Sequence, residues 1–242
     1  MPRTAAILVI GNEVLSGKVH DRNSYFLCRE LRALGVQVAR IVSILDDVAT
    51  IGREARALSD AHDFVFTSGG VGPTHDDVTM DGISHGFGVT AVHHPALESI
   101  LRKHYQGEVS PARLRMALVP DGAELVEAEG LFYPVVLFHN IYVLPGVPEI
   151  LEQKFHAIRE RFRDEPFHLK RLYVNAFESA IADTLTAIVT EFPGIDIGSY
   201  PTWNFDEYKV MVTVESRDAA LLERGFAELL ARIPAEWVVK TG

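Results

Sequence analysis

Short apolar runs alternate with amphipathic helical patterns along residues 1–165, and this alternation constrains the fold more than any other feature of the chain. The runs carry few polar side chains, as expected for strands that are buried on both faces of a parallel sheet. A helix between consecutive strands is typical of α/β folds. The predicted strands cover residues 5–10, 36–44, 64–67 and 140–144, and the predicted helices cover residues 21–34, 48–58, 77–87, 95–105 and 149–162.

A charged, proline-bearing stretch at residues 163–166 separates this pattern from a shorter one. The following residues predict strands at 171–177, 195–199, 208–215 and 237–239, and helices at 179–192 and 219–232. The order βαββαβ is typical of the ferredoxin-like arrangement. We therefore expect two domains, at residues 1–165 and 166–242.

A glycine-rich segment, TSGGVGPTHDD at residues 67–77, follows directly after a predicted buried strand. Glycines let backbone amides approach an anion closely, which favours a phosphate site. Asp76 and Asp77 would repel a phosphate unless a divalent metal ion lies between them, so the segment also predicts a metal site. Asp77 could serve as metal ligand or general base, and Thr74 and Thr79 could contact phosphate or metal. Helix capping by either aspartate is the structural alternative.

Two further strand ends carry turn-forming sequence, GNE at residues 11–13 and PGVP at residues 145–148. Ligands of open parallel sheets bind at the carboxyl ends of the strands, so these loops are expected near the glycine-rich segment. Glu13 is a candidate for holding metal or water. Asp21 is most simply a helix cap, and it could instead share a metal with Glu13. Gly146 would let backbone approach the ligand.

Composition excludes several classes of function. The formal net charge of −10 disfavours a nucleic-acid partner, because phosphate-backbone binding needs clustered Lys and Arg. No apolar stretch is long enough to span a membrane, and a single cysteine, Cys28, fits a reducing compartment, so the cytoplasm is expected. The histidines lack the paired spacing of a zinc site. Neither a Walker lysine nor a serine nucleophile elbow is present.

Four ordered motifs together resemble the molybdopterin-binding domain family of the MoaB/Mog type, within its CinA-like (competence/damage-inducible protein A) branch. They are GNEVLSG at residues 11–17, DRNS at 21–24, TSGGVGPTHDDVT at 67–79 and LPGVP at 144–148. That branch includes the amino-terminal half of some eukaryotic FAD synthases. The resemblance continues into the second predicted domain through residues 178–179 and 197–201.

The resemblance implies a three-layer α/β/α sandwich with a mostly parallel sheet, followed by the small ferredoxin-like α+β domain. It implies a phosphorylated small-molecule ligand, either molybdopterin or a dinucleotide, and in the CinA-like branch a metal-dependent pyrophosphatase acting on ADP-ribose-type substrates or FAD. Mg²⁺, Co²⁺ or Ni²⁺ would be the metal. Similar domains form dimers or trimers, so a homo-oligomer is expected.

The same resemblance assigns roles by position. Asp77 matches the functional aspartate of the family, and Glu13 is the second predicted catalytic residue. Asp21 and Asp76 match acidic positions near the metal and the phosphates. The positions predicted to contact the ligand are Gly11, Asn12, Asn23, Ser68, Gly69, Gly70, Gly72, Thr74, Thr79, Arg115 and Gly146.

Two departures from the family pattern bear on function. CinA proteins commonly carry a further nicotinamide-nucleotide deamidase domain, and the chain ends before one could fit, so deamidation is not expected. An Asn-x-x-Lys-Gln-Ala-like stretch of many relatives reads ARLRMA at residues 112–117, where Arg115 keeps the charge of the lysine. Substrate identity therefore stays open, and the competing function is molybdopterin binding in cofactor synthesis, as a carrier or in an adenylation step.

Overall fold

The computed structural model describes residues 2–106, 109–203 and 207–242, and the chain divides into two compact units after Asp164. Each unit has its own buried core. In the part of the chain that is described, no helix combines the length and apolar character needed to cross a membrane.

The first unit is built on a central sheet with strand order β2-β1-β3-β8-β7-β6. The four strands β2, β1, β3 and β8 are parallel to one another, whereas β7 is antiparallel to both of its neighbours. A separate pair, β4 and β5, forms a small antiparallel sheet. The bounds are β1 (Thr4–Ile10), β2 (Gln37–Ile44), β3 (Phe64–Ser68), β4 (Ala91–His93), β5 (Leu118–Pro120), β6 (Glu124–Val126), β7 (Val135–Phe138) and β8 (Ile141–Leu144).

Several helices begin at a capping side chain or a proline. Asp47 caps one helix by accepting a 2.8 Å hydrogen bond from the Thr50 amide, and prolines open three others. The helices are α1 (Asn12–Leu15), α2 (Asn23–Ala33), α3 (Val48–Ala61), α4 (Thr79–Phe87), α5 (Pro95–His104), α6 (Pro111–Leu114) and α7 (Pro148–Ile158), with 3₁₀ turns at Arg115–Ala117 and Arg159–Phe162.

Two buried cores cover the two faces of the central sheet. Because side chains alternate along a strand, Ala6 and Leu8 of β1 pack with α3, α4 and α5, whereas Ala5 and Ile7 pack with α2 and α7. All four side chains are fully buried. The predicted three-layer α/β/α sandwich with a mostly parallel sheet is therefore confirmed.

An aromatic cluster anchors α7, the helix that follows the PGVP turn. Phe66 of β3 contacts Phe155 of α7 edge-on, with ring centroids 5.7 Å apart, and contacts Phe162 at 4.9 Å. All three rings are fully buried. Edge-on pairs of this kind stabilise the fold beyond the area that they bury. The cluster holds the second half of α7 and the turn after it against the middle of β3.

Helices α3 and α4 approach each other closely through glycines. A Cβ atom on Gly82 would lie 2.5 Å from the Cβ of Ile51, and one on Gly86 would overlap the carbonyl oxygen of Gly52. A residue with a side chain would push the helices apart. Since α4 follows the glycine-rich segment, this contact also fixes where that segment ends.

The second unit has the predicted βαββαβ order. Its strands, β9 (His168–Val174), β10 (Asp196–Pro201), β11 (Val210–Ser216) and β12 (Val238–Thr241), pair antiparallel in the order β10-β11-β9-β12. Helices α8 (Glu178–Glu191) and α9 (Ala219–Arg232) supply Ile181, Leu185, Leu222 and Leu229 to its core. This is the ferredoxin-like topology.

The structure differs from the sequence prediction at α4, at β6 and β7, and at the short elements α1, β4, α6 and β5, which were not predicted. The helix expected from residue 77 begins at Thr79, because the Asp77 carboxylate accepts hydrogen bonds from Thr74 in a turn that precedes the helix. Strands β6 and β7 were not predicted. They depend on a tight antiparallel connection to β8, in which His139 has a φ of 55° and the Asn140 amide donates to the carbonyls of Ser59 and His62.

Gly86→Ala tests the helix contact. Alanine favours a helix over glycine by about 1 kcal/mol, yet we expect the variant to lose about 1–3 kcal/mol of unfolding free energy in urea, because the new methyl group meets the Gly52 backbone. Gly225→Ala in α9 is the control, since its Cβ would overlap the terminal methyl group of Ile195 and touch the Phe192 ring at 3.5 Å but would meet no backbone atom. Wild-type or greater stability of Gly86→Ala would contradict this packing.

Candidate functional site

The ends of three neighbouring parallel strands lie level with one another. Val9 of β1 is in register with Ser68 of β3, and Ser68 is in register with Leu144 of β8. The segments after these residues are the GNE turn, the glycine-rich segment and the PGVP turn. The three loops therefore meet at one edge of the sheet, as expected for a parallel α/β fold.

Gly69 makes the closest contact between these loops. Its φ of +107° lies outside the range that other residues adopt readily, and a Cβ atom would overlap the carbonyl oxygen of Ile10. On its other side the Gly69 amide donates to Leu144 at 3.2 Å, and a Cβ atom on Gly146 would lie 3.3 Å from the Gly69 Cα. The glycine-rich segment is thus held directly against both neighbouring loops.

Asn23 connects the glycine-rich segment to the PGVP turn. Its side-chain amide donates to the Ser68 hydroxyl and to the Gly146 carbonyl, both at 2.8 Å, and only 6% of the residue is exposed. Thr79 has a similar supporting position, because its hydroxyl donates to the Gly69 carbonyl at 3.0 Å and the residue is fully buried. These hydrogen bonds hold the loop in place.

The glycine-rich segment presents free backbone donors. The amides of Gly70, Val71 and Gly72 donate to no group in the part of the chain that is described, and all three residues line the same cavity. Gly69 and Gly70 both have a positive φ, +107° and +63°, a backbone conformation that glycine adopts without strain. Three successive amides without a protein acceptor are suited to an anionic oxygen cluster such as a phosphate.

The cavity beside these amides has a volume of about 550 Å³ and is mainly apolar. Aromatic rings of Tyr105, Phe132 and Tyr133 line it, together with the side chains of Met80 and Met116. The volume is in the range of small-molecule sites, and flat apolar walls favour a planar ring. The arrangement suits a ligand that has a ring at one end and phosphate at the other.

Acidic side chains lie beside the glycine-rich segment. Glu13 and Asp77 line the cavity, and Asp46, at the end of β2, lies close enough to Glu13, Asp76 and Asp77 to feel their charges. Burial raises the pKa of Asp46 above its ordinary value, the Asn12 amide lowers it through a 2.8 Å hydrogen bond, and the neighbouring carboxylates raise it. This mutual repulsion favours a cation at the site.

Asp77 is oriented by Thr74. Its Oδ2 accepts hydrogen bonds from the Thr74 amide at 2.8 Å and from the Thr74 hydroxyl at 2.5 Å. Oδ1 has no hydrogen-bond partner among the described residues, so this oxygen remains available to a metal ion, a water molecule or a proton.

Arg115 brings positive charge to the same wall. Its guanidinium lies 3.5 Å from the Asp77 carbonyl and 3.9 Å from the carboxylate of Asp81. About 39% of the Arg115 side chain is exposed, which leaves room for contact with an anionic ligand.

The structure brings together seven of the predicted site residues and places the others around them. Those that line the cavity are Glu13, Gly69, Gly70, Gly72, Asp77, Arg115 and Gly146. Those outside its lining are Gly11, Asn12, Asp21, Asn23, Ser68, Thr74, Asp76 and Thr79. Asp21 caps the start of α2 through a 3.0 Å bond from the Ser24 amide. Their roles in ligand and metal binding stay predictions.

Two residues of the site were missed by sequence reasoning. Asp46 follows a strand in the same way as Gly11, and that position alone could have identified it. Lys154 occupies the buried face of α7, where the sequence shows an ordinary amphipathic helix. Its Nζ donates to the carbonyls of Tyr133 and Pro134, at 2.5 and 2.8 Å, and burial lowers its pKa from 10.5 to about 8.

Comparison with known proteins connects each unit to a described family. Residues 6–164 match the model of a "probable molybdopterin binding domain", and residues 166–242 match that of the "FAD synthase, middle domain". The first match confirms the resemblance of the sequence motifs.

Relatives and a solved structure agree with these matches. A protein of Archaeoglobus fulgidus is 36% identical over 93% of the chain and 96% of its own length. A probable FAD synthase of Caenorhabditis elegans is 34% identical over 95% of the chain, but the chain spans only 50% of that protein. The crystal structure of CinA, of unknown function, from Thermoplasma acidophilum has 29% identity and a TM-score of 0.62 over 66% of the chain and 98% of its own.

The low pKa of Lys154 predicts a pH dependence of stability. Between pH 8 and 10.5 the unfolded chain, with the ordinary lysine pKa, binds this proton more tightly than the folded protein, so raising the pH favours folding. From about pH 7 to about pH 9.5 we expect the unfolding free energy of the wild type to gain about 2 kcal/mol relative to Lys154→Met. Lys103→Met, at an exposed position of α5, serves as control and should show no such change. A pH-independent difference for Lys154→Met would contradict the assignment.

Proposed function

The chain belongs to the family of probable molybdopterin-binding domains, and from that premise we propose that it hydrolyses the diphosphate linkage of a nucleotide such as ADP-ribose or FAD, with a divalent metal ion. The observation that supports this proposal most is that a polar loop adjoins an apolar cavity. The unpaired amides at 70–72 lie at the edge of an apolar, aromatic-lined cavity. A nucleotide combines the same two characters, an anionic phosphate and an apolar ring.

The donor set fits a metal ion that is shared with the substrate. Among the described residues, no three His, Cys, Asp or Glu side chains are arranged to hold a metal by themselves. Mg²⁺ in phosphate-processing sites is commonly bound by one or two carboxylates, while water and phosphate oxygens complete its shell. Asp77 and Asp76 would hold the ion, with Glu13 and Asp46 close by. When bound, it would neutralise phosphate charge and increase the acidity of a coordinated water.

The side chains have separate tasks in this reaction. The amides of the glycine-rich segment bind the phosphate oxygens, and Arg115 balances their charge. Water attacks one phosphorus, its proton passes to the carboxylate of Asp77 or Glu13, and the bond from that phosphorus to the bridging oxygen breaks. The second phosphate leaves with the bridging oxygen. ADP-ribose would thus give AMP and ribose 5-phosphate, and FAD would give AMP and FMN.

Molybdopterin binding without hydrolysis is the second candidate. The match of residues 6–164 to a molybdopterin-binding model favours it, and a pterin ring with its phosphate has the same two characters as a nucleotide. A pterin that co-purifies with the protein, detected by fluorescence after oxidation, would support this candidate. Release of AMP from ADP-ribose or FAD would favour hydrolysis instead.

Incubation of the purified protein with ADP-ribose or FAD and Mg²⁺, Co²⁺ or Ni²⁺ tests the proposed hydrolysis directly. We expect AMP release that depends on the added metal. If both substrates stay intact with all three metals, the protein is not a pyrophosphatase of this kind.

Asp77→Asn separates turnover from binding. Loss of a carboxylate that takes a proton typically lowers kcat by about 100-fold or more, whereas the amides that bind phosphate are unchanged, so ligand affinity should be largely retained. Asp121→Asn, which alters an exposed aspartate outside the cavity lining, should keep full activity. Full hydrolysis by Asp77→Asn would show that another group accepts the proton.

A further inference from the structure

Lys154 is a buried cation that the proposed hydrolysis does not use. Only 8% of the residue is exposed, and it lines the cavity. No carboxylate lies within ion-pair distance of its ammonium group among the described residues. A buried charge without a charged partner is costly, which makes a lysine at this position unusual for a purely structural role.

The ammonium group has one donor more than its protein partners use. A lysine ammonium carries three N–H donors, and the carbonyls of Tyr133 and Pro134 accept two of them. The ring of Tyr133 also lies 5.2 Å from Nζ, and its hydroxyl is held by a bond to the Met116 carbonyl. The position of Nζ is therefore fixed, and one donor remains for a group inside the cavity.

Lys154 lies in the second turn of α7, beyond the turn that contacts Gly69. The helix backbone advances about 9 Å over the six residues from Pro148 to Lys154, and the bonds of Nζ to Tyr133 and Pro134 place the ammonium beside the segment that leads to β7. Phosphate at the amides of residues 70–72 would leave the remainder of the ligand to extend along the cavity. Lys154 would then meet the ring and not the phosphates.

We propose that Lys154 selects ligands by donating a hydrogen bond to a carbonyl oxygen on the bound ring. The preferred class is a nucleotide-like phosphate whose heteroaromatic ring carries such a carbonyl, as flavins and pterins do, in preference to adenine, whose ring carries none. The inference rests on the proposed function in placing the phosphate at the glycine-rich segment. It ranks FAD, bound through its flavin, above ADP-ribose as substrate.

Three 5′-monophosphates test the selection, measured by calorimetry with the full chain. GMP has a carbonyl at C6 where AMP has an amino group, and it also carries a 2-amino group, so the pyrimidine ring of guanine reproduces the corresponding part of a pterin. FMN supplies the larger flavin. We expect the wild type to bind GMP or FMN at least about 10-fold more tightly than AMP, which is the effect of one hydrogen bond from a charged donor. Tighter binding of GMP would indicate a ring of pterin size, and tighter binding of FMN would indicate a ring of flavin size.

Substitution of Lys154 identifies the donor. Lys154→Met should weaken binding of the preferred ligand about 10-fold and leave AMP binding unchanged, whereas Lys103→Met should alter neither. Lys154→Gln retains amide donors for the two carbonyls and should show the same loss of preference, so it replaces the methionine variant if that variant does not fold. If Lys154 had only a structural role, its substitution would weaken the binding of AMP, GMP and FMN alike.

Several results would overturn the inference. They are equal affinity of the wild type for AMP, GMP and FMN, absence of binding by all three, and a uniform loss on substitution of Lys154. Hydrolysis of ADP-ribose and FAD, measured in parallel, separates the two claims. Ring preference without hydrolysis contradicts only the proposed reaction, and hydrolysis without ring preference contradicts only the role of Lys154.

Discussion

The close backbone contact between Gly69 and Ile10 is the constraint on which the site depends. It brings the glycine-rich segment against the end of β1, and the Gly69 amide ties the same segment to the end of β8. The side-chain amide of Asn23 donates hydrogen bonds to Ser68 and Gly146 and so holds the ends of β3 and β8 together. These contacts fix residue 69, and the next three residues line the cavity with amides that have no acceptor in the described part of the chain. Because the loop is already held in place, ligand binding does not incur the entropic cost of ordering it.

Charge is distributed unevenly around the cavity, and this division suggests how a ligand is oriented. Carboxylates of Glu13 and Asp77 lie at the phosphate end, where a divalent ion would balance them, whereas Lys154 is the buried cation farther along α7. Between them the walls are mainly apolar. With a divalent ion beside Glu13 and Asp77, phosphate would bind at the glycine-rich segment and the ring would extend towards Lys154. Without that ion the carboxylates would repel phosphate and the Lys154 ammonium would attract it, so the orientation depends on the bound ion.

Features of this structure that depend on residues adjacent in the sequence could be predicted, whereas features that depend on contacts between distant segments could not. Apolar runs such as residues 5–10 identify strands, and the glycine motif at residues 67–77 identifies the loop that lines the cavity, because both signals are local. Helix α4 starts two residues late because Asp77 bonds to Thr74, a choice that the sequence leaves open. The role of Lys154 depends on carbonyls of Tyr133 and Pro134, in a segment leading to β7, whose antiparallel pairing was not predicted.

A crystal structure of the protein with FMN would test the central claim most directly. The account predicts phosphate oxygens within hydrogen-bond distance of the amides of residues 70–72, and the flavin ring inside the cavity with a carbonyl oxygen beside the Lys154 ammonium. Phosphate bound away from the glycine-rich segment, or a ring that lies outside the cavity, would contradict it.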